Sequence, residues 1–148
     1  IMRMESGFLH WGHDITAEDN QYQAGLDFTI SYKKPFNFIG KKKLLKIKKQ
    51  KVNKRFVMLT LINSKIGNPL LLHEEPIYLN DKIIGRTTSG NYSFNYNKNL
   101  SFGYIETALS NDDLLKNKEN KLYIEVEKQK YLAELLIKPL KQNNFKKI

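Results

Sequence analysis

Two imidazoles flanking a short loop beside a carboxylate, His10, His13 and Asp14, are the first group in this chain that could do chemistry, because such donors can ligate a zinc-type ion. A closed tetrahedral site wants a fourth ligand. The one remaining histidine, His73, lies far along the chain with no motif to bring it back, so ordinary hydrogen-bonded loop histidines are the better reading and no metal ligand is assigned. Glu74 and Glu75 are adjacent and would point to opposite faces of an extended strand, which prevents them from acting as a paired acid and base. Ser89 sits between Thr88 and Gly90 without the Gly-x-Ser-x-Gly frame of a nucleophile elbow, and no histidine follows it to serve as base. Tyr92, Phe94 and Tyr96 alternate, as rings do when they stack bases on one strand face or pack a barrel wall. There is no Gly-x-Gly-x-x-Gly or Walker-type loop, and no cysteine, which excludes disulfides, thiolate zinc and a thiol nucleophile. No catalytic residue is assigned.

The elements that must position these groups fall into two parts. Residues 1–6 read as the end of a helix closed by Gly7, and a polar loop of turn-forming residues runs from His10 to Asn20. Phe28-Thr29-Ile30-Ser31-Tyr32 alternates like a half-buried strand, and Lys41 to Lys51 carries Leu44, Leu45 and Ile47 as the apolar stripe of a short amphipathic helix. The pattern turns from helical to extended at Lys51 to Lys54. Beyond it, strands are expected at Arg55–Ile62, Leu100–Ile105, Leu122–Val126 and Tyr131–Ile137. A hairpin is expected from Pro76–Leu79 through Asn80-Asp81 into Lys82–Ile84. Short strands at such spacing suggest a small antiparallel barrel or sandwich, with Lys138–Ile148 as a polar surface tail.

The formal charge of +10 invites a nucleic-acid partner. Yet 22 of the 25 basic residues are lysine and only Arg3, Arg55 and Arg86 can offer the bidentate fork favoured for phosphate and guanine. Solvated lysines explain the charge better, and a basic barrel that binds nucleic acid without catalysis is kept as the alternative class. No apolar run is long enough to span a membrane, and without a secretory leader pattern or cysteine the cytoplasm is the expected compartment.

Longer-range order in the sequence adds a resemblance. Arg3-Met4-Glu5-Ser6-Gly7-Phe8, Trp11-Gly12-His13-Asp14-Ile15-Thr16 and Ala24-Gly25-Leu26 resemble, in order and spacing, a signature of the glycine-cleavage T-protein (aminomethyltransferase) family. Phe38-Ile39-Gly40-Lys41, Glu75-Pro76-Ile77, Ile84-Gly85, Thr88-Ser89-Gly90 and Phe102-Gly103-Tyr104 look like its later landmarks. Trp11 stands where glycine-cleavage members more often show Tyr, so the chain looks nearest to the folate-binding module of dimethylglycine and sarcosine dehydrogenases. A sulfonium demethylase of similar fold is a further relative by this resemblance. Asn20-Gln21-Tyr22-Gln23 departs from the Thr-Pro-Leu-Glu that relatives tend to show.

The resemblance implies an α+β chain in which residues 1–52 end a folate-binding α/β domain and residues 53–148 form a C-terminal antiparallel β-barrel. It implies one-carbon transfer to tetrahydrofolate, with Arg3, Glu5 and Trp11 as folate-contacting residues: Arg3 as donor, Glu5 beside it and Trp11 as a channel wall. The assisting aspartate, and FAD if the parent is dehydrogenase-like, would belong to a missing amino-terminal part. The start at Ile1 fits a fragment that is inactive alone. Implied partners are that amino-terminal half and a small methylated amine or aminomethyl donor, with neither nucleic acid nor membrane.

Overall fold

The computed structural model describes residues 1–140 of the chain. Six strands close into an antiparallel barrel: β1 (Lys54–Leu61), β2 (Pro76–Leu79), β3 (Lys82–Ser93), β4 (Lys98–Glu106), β5 (Leu122–Val126) and β6 (Gln129–Leu136). Their order around the barrel is β1-β4-β3-β2-β5-β6, and β6 returns to β1 through Met58↔Leu136 to Leu61↔Ala133, so no edge is left to pair with another chain. Closure follows from alternation. Val57, Leu59 and Leu61 of β1 join Ile77, Ile84, Ile105, Leu122, Ile124 and Leu135 in one interior cluster.

β4 is buried on both faces from Asn99 to Ile105, which alternation alone does not require. Its outward side chains Leu100 and Phe102 form a second cluster with Met4, against which Phe56 and Met58 of β1 pack. The lid is the N-terminal segment, whose helix α1 (Met2–Glu5) rests on β4. Phe56 meets Phe102 edge-on at 5.1 Å and Tyr104 at 5.8 Å between ring centres. Burying a phenylalanine such as Phe102 contributes about 1.5–3 kcal/mol, so this outer layer is a real tie between the two parts.

Most expected elements stand where the sequence places them. α2 spans Lys41–Lys48, and the β2–β3 hairpin turns at Asn80, which accepts a positive φ of 54°. Residues 28–32 are a correction. Their alternation suggested a strand, but Asp27–Thr29 form a single 3₁₀ turn and Phe28 is 80% exposed. Thr29 Oγ1 donates to the Leu26 carbonyl at 2.7 Å, a local bond that takes the place of a ladder. Phe94 and Tyr96 leave the strand, lying in the turn between β3 and β4, yet the Phe94 ring still meets buried Tyr92 edge-on at 5.2 Å between ring centres. A helix, α3 (Asn111–Lys116), occupies what was read as polar turn; Ser110 and Asp113 close a capping box, with Asp113 N–H donating to Ser110 Oγ at 3.1 Å. Of the expected tail, 141–148 lie outside the described residues.

Candidate functional site at the barrel junction

Asp14 is the centre of the junction. Its side chain is fully buried, and it gathers donors from three places in the sequence. From its own loop the His10 amide donates to Oδ2 at 2.8 Å; from α1 the Arg3 guanidinium donates to the same oxygen at 2.6 Å; from β3 the Thr88 and Ser89 hydroxyls donate to Oδ1 at 2.6 and 2.7 Å. Burial works to raise its pKa, but the bonds from Thr88, the His10 amide and Ser89, with the charge of Arg3, outweigh that and hold the carboxyl below its ordinary value. It is an ionised clamp that fastens the N-terminal loop to the barrel wall.

Arg3, the residue expected to contact folate, is part of this clamp. Its Nη1 also donates to the Phe8 carbonyl at 3.1 Å and its Nη2 donates to Ser89 Oγ at 2.8 Å. Glu5 is 3% exposed and accepts from Ser93 Oγ at 2.6 Å and from the Asn95 amide, which ties α1 to the far end of β3. Trp11 stands apart from both. It is 68% exposed and lines an apolar groove of about 800 Å³ with Phe8, Leu26, Phe28, Met58 and Ile137. The three residues are therefore not one constellation: two build the junction and one faces the groove.

Ser89 has no histidine hydrogen-bonded to it among the described residues: its hydroxyl donates to the Asp14 carboxylate, itself held by Arg3, and accepts from Arg3. Glu74 pairs with Arg86 at 2.8 Å, and Glu75 accepts from the Leu72 amide at 2.7 Å and bonds Thr87. The histidines hold a surprise: His73 comes within 6.5 Å of His13, itself 4.9 Å from His10. Even so, among the described residues no three His, Cys, Asp or Glu side chains are placed to hold a metal ion. Asp14 was read only as a possible metal partner. Nothing local in the sequence marks its role, since Glu18 and Asp19 stand in the same turn-rich loop and only the structure shows Asp14 buried.

The site is thus a closed six-stranded barrel with an N-terminal loop clamped to its wall and an apolar groove beside it. Residues 54–141 match the family model described as glycine cleavage T-protein C-terminal barrel domain, and the chain belongs to that family. It is 38% identical over 112 residues to human mitochondrial dimethylglycine dehydrogenase, covering 74% of this chain and 12% of that protein. Against the aminomethyltransferase of Listeria welshimeri the identity is 33%, over 72% of this chain and 28% of the relative. The 4-methylaminobutanoate oxidase (formaldehyde-forming) of Paenarthrobacter nicotinovorans is 39% identical over 71% of the chain and 12% of the oxidase. The crystal structure of glycine cleavage system aminomethyltransferase T from Bartonella henselae shares the fold with a TM-score of 0.75 at 20% identity, covering 93% of this chain and 36% of that one. The chain thus spans between about an eighth and under a third of the curated relatives it matches. No helix among the described residues is long and apolar enough to cross a membrane.

Proposed function

We propose that this chain is the C-terminal part of a tetrahydrofolate-dependent one-carbon transfer enzyme, of the dimethylglycine- or sarcosine-dehydrogenase-like or glycine-cleavage T-like kind, acting in the cytoplasm. Its partners are the amino-terminal remainder of the parent polypeptide and a small methylated amine or aminomethyl donor. The observation that carries this reading is the exposed indole of Trp11 on an apolar groove beside a barrel of this family. Tetrahydrofolate would accept the one-carbon unit. The residues present fit it unequally.

Trp11 offers an uncovered aromatic face beside apolar walls, suited to a flat heteroaromatic ring. Arg3 offers less, because both outer guanidinium nitrogens already serve Asp14, Phe8 and Ser89. Glu5 is turned to Ser93 and Asn95. In this reading Trp11 walls the channel, while Arg3 and Glu5 hold the segment that carries it. Residues 1–52 complete the folate domain against the absent remainder and residues from 53 onward supply the barrel.

The parent protein tests it by folate titration below its melting temperature. Trp11→Ala is expected to weaken folate about 5- to 100-fold, the range for loss of one stacked ring, while Trp11→Phe keeps most of the affinity. Arg3→Ala and Arg3→Lys are expected to lower the melting temperature and leave the affinity of the folded fraction within about threefold. An Arg3→Ala protein of unchanged stability that binds folate ten- to a hundredfold more weakly would make Arg3 a direct contact. Unchanged folate affinity in Trp11→Ala would remove the channel-wall role.

A further inference from the structure

The Asp14 clamp also borders a polar cleft of about 670 Å³, lined by Asp14, Asp19, Lys54, Arg86, Tyr104 and Glu106 among others. Tyr104 is 9% exposed, and its hydroxyl is buried without a hydrogen-bond partner among the described residues. A buried hydroxyl left unpaired costs stability that a phenylalanine would not. The neighbouring carboxylates do not relieve it. Asp14 accepts from His10, Arg3, Thr88 and Ser89, and Asp19 from Lys54 at 2.9 Å and from the Thr16 amide at 3.0 Å and hydroxyl, but neither accepts from Tyr104. Burial, with Asp19 and Asp14 nearby, pushes the Tyr104 pKa further up, so its proton stays and seeks an acceptor from outside.

The charge of the cleft says what else a ligand must carry. The chain is +10, but here Asp14, Glu18, Asp19, Glu74 and Glu106 face Lys54, Lys82 and Arg86. Asp14 is matched by Arg3, Asp19 by Lys54 and Glu74 by Arg86, which leaves Glu18 and Glu106 against Lys82 with no ion pair among the described residues. The cleft is locally acidic. It already accommodates one ammonium: Lys54 Nζ lies 4.8 Å from the centre of the Tyr104 ring while bonded to Asp19.

We propose that this cleft binds a small organic cation that also carries an oxygen acceptor, of the amino-alcohol class, with its ammonium toward Glu18 and Glu106 and its oxygen accepting from Tyr104. The test is an amide-shift titration of the 148-residue chain with ethanolamine, ethylammonium and acetate, followed at Gly85, Tyr104 and Glu106. Ethanolamine is expected to saturate and to bind about tenfold more tightly than ethylammonium, which lacks the acceptor, and acetate to shift nothing. Tyr104→Phe should erase the tenfold preference while its melting temperature holds or rises, the mark of a hydroxyl kept for a ligand rather than for the fold. Equal response to acetate, shifts that never saturate, or a preference that survives Tyr104→Phe would overturn the proposal. Should Tyr104→Phe fail to fold, Glu18→Gln/Glu106→Gln, which changes two exposed side chains, must weaken ethanolamine at least fivefold or the site is rejected.

Discussion

Gly85→Ala is expected to destabilise the barrel by more than about 4 kcal/mol, a large share of the roughly 5–15 kcal/mol that keeps a domain folded. A Cβ at this position would run into the Tyr104 carbonyl oxygen and stand 2.9 Å from the Ile105 Cα, both of them backbone atoms of β4. No rotamer can relieve backbone on backbone. Gly85 also pairs with Ile77 of β2, so any retreat from β4 pulls on the hairpin that carries the opposite wall of the barrel. Gly40→Ala is the control. It has a positive φ of 87° but nothing within 4 Å of the added carbon, and should cost only about 1–2 kcal/mol of backbone strain. Urea denaturation of both variants, read by far-UV circular dichroism, separates the two; a Gly85→Ala protein as stable as Gly40→Ala would mean that the barrel yields at this crossing.

The barrel was legible because its strands obey a period of two against a closed interior. Leu122–Val126 matches the expected β5 residue for residue, and Pro76–Leu79 with Lys82 onward forms the expected hairpin. The same rule misled at residues 28–32. Alternation there is as clean as in β1, yet among the described residues no strand lies beside it, and with no ladder to join, the local Thr29 bond sets the conformation. α3 escaped for the converse reason: one buried side chain, Leu114, gives no readable stripe, and only the Ser110–Asp113 box announces the helix.

The junction was legible as a list and not as a geometry. Arg3, Glu5 and Trp11 share one short segment, but a four-residue helix and two turns send their side chains to three different surroundings. Thr88 and Ser89 give no hint in sequence that they answer to Asp14, since contacts separated by 74 and 75 positions leave no local pattern. Tyr104 was read as one letter of a Phe-Gly-Tyr landmark. Its unpartnered hydroxyl is a property of the packing of loop on barrel and exists only once both are placed.

Asp14→Ala is expected to cost about 3 kcal/mol, at the lower end of the range for breaking a buried ion pair because Arg3 keeps a third of its side chain in contact with water. The loss should be local first. With Asp14 gone, the amide of His10 and the hydroxyls of Thr88 and Ser89 lose their shared acceptor, so hydrogen exchange should quicken across residues 3–15 before the barrel opens. The charge itself is tested with Asp14→Asn as a function of pH. The folded-state pKa of Asp14 lies below its ordinary 3.8, so its ionisation adds stability above that value, and the gain is lost as pH falls through the folded pKa. Asp19 and Asp113 are also held low, the first against burial by Lys54 and Thr16, the second by Ser110, so the wild type alone will lose stability in acid for several reasons. The difference between wild type and Asp14→Asn isolates the clamp: large and flat from pH 5 to 7, and shrinking steadily below the ordinary carboxylate value. A difference that holds constant down to acid unfolding would show that Asp14 contributes shape and hydrogen bonds but not charge, and the N-terminal loop would then be held by packing on Phe102 and Met58 instead.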